Sequence, residues 1–131
     1  MDREVGVSSR VANVLLVDDE PQIRKLLSGL LMRTGDYHVV TASSGEEALD
    51  LFGILPERID IIITDCDMGK MTGIELYQRI RARRPEAAVL FISANADSIR
   101  ESLPECPLLE KPFHPRQFVA RVAEVLSSSQ V

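Results

Sequence analysis

Six residues in this chain have the types and spacing for phosphoryl chemistry: the adjacent pair Asp18-Asp19, Asp65 with Asp67 two positions on, Ser93 and Lys111. Carboxylates brought to one pocket repel one another unless a cation sits among them. Oxygen ligands, with neither thiolates nor a histidine cluster beside them, suit Mg²⁺, which accepts a few carboxylates together with waters and phosphate oxygens. A hydroxyl such as Ser93 and an ammonium such as Lys111 would serve the remaining oxygens of a phosphoryl group. Taken singly, each residue also has a structural use. Asp19 can cap the helix that Pro21 opens, Ser93 can satisfy a loop amide, Lys111 can be a solvated cation, and His114 before Pro115 can start a helix. The chemistry depends on whether the fold brings them together.

The elements that must do so are legible as an alternation. Short apolar runs at Val14 to Val17, Ile59 to Ile63, and Val89 to Ile92, with weaker ones at His38 to Ala42 and Leu108 to Leu109, read as strands buried on both faces. Between them Ile23, Leu26, Leu27, Leu30 and Leu31 recur with helical period, as do Phe118, Val119, Val122, Ala123 and Leu126. Pro21 suits a first helical position, and Ser44 with Glu47, Thr72 with Glu75, and Ser98 with Glu101 each fit a capping box. Five strand-helix units imply an α/β fold, a doubly wound parallel sheet with right-handed crossovers. Ligands of such sheets bind outside the carboxyl ends of the strands. Asp18, Asp19, Asp65, Ser93 and Lys111 all fall at such ends.

Composition narrows the function classes. At 131 residues, 45% hydrophobic and 27% charged, the chain suits one soluble domain with one core. We expect one domain over 13–127, with tails at 1–12 and 128–131. The net charge of −5 argues against direct nucleic-acid binding, and the cluster Arg79, Arg81, Arg83 and Arg84 reads as the solvated end of a helix. Cys66 and Cys106 form no C-x-x-C, and His38 and His114 cannot complete a zinc site. The start MDREVGVSSRVAN has no hydrophobic signal core, and no apolar run approaches the ~20 residues that span a bilayer. Reduced thiols and a cytoplasmic location, away from membranes, are the expectation.

Five stretches taken in order carry a family resemblance: VLLVDDEP at 14 to 21, ASSGEEAL at 42 to 49, IIITDCDMGKMTG at 61 to 73, VLFISA at 89 to 94, and LLEKPF at 108 to 113. Across roughly residues 13 to 127 the chain resembles the receiver domains of two-component response regulators. The resemblance implies a flavodoxin-like strand order of 2-1-3-4-5 and a phosphorelay function without turnover of external substrates. It implies Asp65 as phosphoacceptor, taking the group from a sensor histidine kinase or a histidine phosphotransfer protein. Asp19 would ligate Mg²⁺ directly, Asp18 mostly through water, and the Asp67 carbonyl would be a further ligand. Ser93 and Lys111 would bind the phosphoryl group, and the Lys111–Pro112 bond would be cis. The downstream partner would be a protein whose identity the sequence does not carry, with a second copy of the chain as a further partner.

Three positions depart from the family pattern. Gly69 stands where proline is usual, which loosens the loop after Asp65. Residues 94 to 107 are short and hold Pro104 and Pro107, so the fourth helix is cut to about two turns. Leu108 replaces the customary aromatic, so phosphate is expected to act mainly through the Ser93-Ala94-Asn95 loop and the short Ser98 helix, while the Asp67 side chain tunes the lifetime of the phosphoryl group. Two rival readings stay open: a haloacid dehalogenase-like phosphatase using Asp65 and Asp67 as its D-x-D pair, and a receiver-like interaction module that takes no phosphate. Turnover of a small phosphomonoester would mark the first, and no labelling at all the second.

Overall fold

The computed structural model describes residues 11–54 and 58–129. The positions expected as an N-terminal tail therefore lie mostly outside the described residues, as do 130 and 131. Ten elements alternate: β1 (Ala12–Val17), α1 (Pro21–Met32), β2 (Tyr37–Ala42), α2 (Gly45–Ile54), β3 (Ile61–Asp65), α3 (Gly73–Arg83), β4 (Ala88–Ser93), α4 (Ala96–Ser102), β5 (Leu108–Glu110) and α5 (Pro115–Ser129). The last helix runs into the stretch expected as a C-terminal tail. All strand pairs are parallel, in the order β2-β1-β3-β4-β5. The doubly wound sheet and its order are as expected, and α4, at 7 residues, is the short helix.

Period-two alternation along the strands divides the core. Leu15 and Val17 of β1, Ile62 of β3, and Val89 and Phe91 of β4 face one side, where they pack with Ala48, Phe52, Leu76 and Ile80 from α2 and α3. Val14, Leu16, Ile61, Ile63, Leu90 and Ile92 face the other, against Leu27 and Leu31 of α1 and Phe118, Val122 and Val125 of α5. Both faces are covered, so β3 is buried along its whole length. Two residues of the helical stripes behave otherwise than their spacing predicts. Leu26 is 53% exposed, and Ala123 is exposed while Val125 packs inward. In each case the contact face is narrower than the apolar stripe, or rotated from it.

The helix starts follow local chemistry. Thr72 makes a complete capping box with Glu75, and Pro21 occupies the first turn of α1 behind Glu20. Ser44 accepts from the Glu47 N–H, but the Glu47 carboxylate returns to the N–H and hydroxyl of Ser43. Ser98 is not a cap: α4 begins at Ala96, and the Ser98 hydroxyl donates back to the Asn95 carbonyl from inside the first turn. His114 accepts the Arg116 N–H on Nδ1, while its own N–H donates to Gln117 Oε1, so it starts α5 as the plain structural reading has it. Of the arginine cluster, Arg79, Arg81 and Arg83 are exposed along the last turns of α3, and Arg84 is half-buried. Arg81 lies over the Tyr77 ring, and Arg84 donates to the Ile59 carbonyl and pairs with Glu86. Among the described residues no helix is long and apolar enough to cross a membrane.

Candidate functional site

The pocket forms where β1 and β3 end side by side, flanked by the ends of β4 and β5. Register pairs Val17 with Thr64 across β1 and β3, and Asp65 with Ile92 across β3 and β4. The residues that follow each strand are therefore set at one level of one sheet edge. Asp18 continues β1, Asp65 terminates β3, Ser93 terminates β4, and Lys111 follows β5. Three of these polar residues are buried, Asp18 at 2%, Asp65 at 4% and Ser93 at 1% exposure, whereas Asp19 is exposed at the mouth.

Asp65 is held from two sides. Its Oδ1 accepts the Asp67 N–H at 2.9 Å, and its Oδ2 takes the Lys111 ammonium at 2.9 Å. Below it the Thr64 hydroxyl donates to the Asp65 carbonyl, and Cys66 N–H donates to Ile92 across the strands. Asp18 has its Oδ1 bound by the Glu20 N–H at 2.8 Å. The Ser93 hydroxyl accepts the Asn95 N–H at 2.9 Å, and the Ser93 carbonyl accepts the Lys111 N–H, so β4 and β5 close the pocket together. The Lys111–Pro112 peptide is cis.

Electrostatics follow from this crowding. Burial is the main force lifting the Asp18 carboxyl above its ordinary value; the Glu20 amide opposes it, Asp65 adds to it, Lys111 opposes it and Asp19 adds to it. Burial pulls Lys111 down, but its hydrogen bond to Asp65 and the charges of Asp65, Asp18 and Glu20 outweigh that and leave it raised. Burial, reinforced by the Asp65 and Asp67 anions, pushes the Cys66 thiol up to about 12. Carboxylate oxygens of Asp18, Asp19 and Asp65 lie within 4.8 Å of one another. Oxygens bound to Mg²⁺ at about 2.1 Å stand roughly 3 to 4.2 Å apart. The donor set is all oxygen and the charges are in need of a cation, so these residues fit Mg²⁺.

The remaining expected site residues are placed as follows. The Asp67 side chain is exposed, and its backbone N–H is the group that touches Asp65. Ala94 and Asn95 are exposed in the loop between β4 and α4. Leu108 pairs with Phe91 in register and packs on the α2–α3 side of the sheet. Sequence reading missed Arg24, whose Nη1 donates to the Asp18 carbonyl at 2.7 Å. It stands between the apolar positions of α1, where amphipathic periodicity registers only a solvated cation. It missed Thr64 as well, which looked like one more β-branched strand residue. The tight approach of Gly73 is a further local constraint, since a Cβ there would meet the Asp65 carbonyl oxygen at 2.5 Å.

Residues 14–123 match the family described as response regulator receiver domain. The alkaline phosphatase synthesis transcriptional regulatory protein PhoP of Bacillus subtilis is 35% identical over 122 residues, which are 90% of this chain and 50% of PhoP. This chain thus spans half the length of that relative. A response regulator receiver domain protein from Clostridium thermocellum superposes with a TM-score of 0.83 at 27% identity, covering 92% of this chain and 98% of that one. The response regulator TrrA from Thermotoga maritima, solved in complex with Mg(2+)-BeF, gives 0.77 at 30% identity, covering 88% and 99%.

Proposed function

The chain belongs to the response regulator receiver domain family of two-component signalling, and on that premise we propose that Asp65 is its phosphoacceptor. One observation carries this reading: a buried carboxylate at the end of the central strand meets a carboxylate pair within 4.8 Å and an ammonium at 2.9 Å. That surrounding suits a carboxylate that gains and loses a dianionic group.

The donor is a phosphohistidine on a sensor histidine kinase or a histidine phosphotransfer protein. An Asp65 carboxylate oxygen attacks phosphorus, the P–N bond breaks, and the imidazole leaves with a proton from water. Asp65 becomes a mixed anhydride carrying ~1.5 to 2 negative charges in place of the single charge of the carboxylate. Asp18, Asp19, Asp65 and the Asp67 carbonyl would hold Mg²⁺, which supplies charge neutralisation for the transferring oxygens. Lys111, already on Oδ2, turns its ammonium to the phosphoryl oxygens, and the Ser93 hydroxyl donates its proton there. Both shifts draw on the β4–α4 loop through Ala94 and Asn95, while Leu108, packed against the sheet, contributes bulk. The Asp67 side chain, at the mouth, faces incoming water and sets the rate at which the anhydride is lost. The output is a change of surface read by a downstream protein, in the cytoplasm, and the domain turns over no external substrate.

Intact-mass spectrometry with acetyl phosphate and Mg²⁺ tests the assignment. Wild type gains one phosphoryl mass that is acid-stable and base-labile, and Asp65→Asn gains none. Added mass on another residue, or labelling of the Asn variant in one step, overturns it. Catalytic release of phosphate from a small monoester would instead favour the dehalogenase-like reading, in which Asp67 is an acid or base.

A further inference from the structure

Asp18 is held inside the protein at three points. Its N–H donates to Ala42 at 3.1 Å, its Oδ1 accepts from Glu20 at 2.8 Å, and its carbonyl accepts Arg24 Nη1 at 2.7 Å. Among the described residues its Oδ2 has no hydrogen-bond partner, which leaves that oxygen for the pocket. The carbonyl contact matters beyond Asp18. Peptide planarity ties the Asp18 carbonyl to the N–H and Cα of Asp19, so gripping that oxygen fixes where Asp19 begins. Asp19 is exposed and its neighbour Glu20 makes no side-chain cap to α1. The other tie across this turn is the Glu20 N–H to Asp18 Oδ1 bond, which brackets Asp19 but leaves the Asp18–Asp19 carbonyl to Arg24.

Arg24 is suited to the grip. It is half-buried near the start of α1, and its planar guanidinium gives a directional, charge-assisted bond.

We propose that Arg24 is a positioning residue for the acid pair: by holding the Asp18 carbonyl it sets the Asp18–Asp19 peptide plane and thereby the spacing at which both carboxylates receive a divalent cation. The proposal rests on the reading of the pocket as a Mg²⁺ site. Charge and position predict opposite signs. Removing a cation near a metal site tightens metal binding by charge alone, whereas removing the grip weakens it.

The test is Mg²⁺ titration of the full chain, followed through the backbone amide shifts of Asp18, Asp19 and Asp65. Arg24→Met keeps the stem and loses the donors, and its Kd rises about tenfold, the low end of what losing an outer-shell partner costs. Arg24→Lys, which keeps a donor, recovers part of that loss. Lys25→Met, an exposed cation on the same helix, does not weaken binding. An unchanged or tighter Kd for Arg24→Met, or an Arg24→Lys no better than Met, overturns the positioning role while leaving the metal site standing. Absence of a saturable shift in wild type overturns the metal site, and the positioning role with it.

Discussion

Adding one carbon at Gly73 should damage the phosphoacceptor from behind. The new Cβ would lie 2.5 Å from the Asp65 carbonyl oxygen, 2.9 Å from Cys66 Cα and 3.1 Å from the Asp65 carbonyl carbon. Ordinary contact begins at 3.4 Å, so the oxygen must be relieved by 0.9 Å (3.4 − 2.5). Neither side yields easily. The atoms in the way are backbone at the end of β3, pinned by the Cys66 N–H to Ile92, and Gly73 is itself tied to the Cys66 carbonyl by its N–H. Overpacking of this kind costs roughly 1 to 3 kcal/mol. A displacement approaching 1 Å at a reacting group costs up to about 100-fold in rate. Gly73→Ala is therefore expected to lose both stability, by urea unfolding, and the rate of labelling by acetyl phosphate, by intact mass. Gly69→Ala is the control: nothing lies within 4 Å of its Cβ position, so its stability stays within about 0.5 kcal/mol of wild type. A Gly73→Ala protein with wild-type stability and labelling rate would refute the close-approach argument.

Gly29→Ala in α1 meets open space and should stabilise by about 0.5 to 1 kcal/mol in the same urea assay; a loss would show the helix to be crowded there. The Glu47 carboxyl is held below its ordinary value by the Ser43 N–H and hydroxyl. Its contribution is therefore present above the unfolded value and lost as pH falls through the folded one. The stability deficit of Glu47→Gln should accordingly shrink toward zero in acid, and a deficit that grows in acid would reverse the sign. Amide exchange with beryllium fluoride and Mg²⁺ should change most over residues 93–107 and least along α1, because α4 has 7 residues and few buried ones. A response centred on Leu108 and α5 would refute that.

The sequence displayed the sheet edge well because backbone topology, not side-chain detail, decides it. The run Ile61-Ile62-Ile63 could only be a doubly covered strand, and its register then delivered Asp65 to the level of Asp18 and Ser93. What was illegible depends on angles and reach. Ser98 has the right spacing for a capping box, yet Ala96 is small and buries readily, so the helix starts earlier. Leu26 sits on the apolar stripe of α1 but beyond the strip that β1, β2 and α5 cover. Arg24 reaches back six residues to a carbonyl, a partner that no pattern of side-chain types reveals.

The buried sulfur of Cys66 has a chemical consequence under the proposal that Asp65 becomes an acyl phosphate. A thiolate attacking the side-chain acyl carbon, Cγ, of phosphorylated Asp65 would expel phosphate and leave a thioester, erasing the signal and the acceptor together. With the thiol pushed up to about 12, only about one molecule in 10⁵ carries that thiolate at neutral pH. Behind burial, the anions that hold the thiol up are Asp65, the proposed acceptor, and Asp67. On that proposal, packing keeps a potent nucleophile protonated one residue from an electrophile, and loss of the mixed anhydride falls to water arriving past the exposed Asp67 side chain.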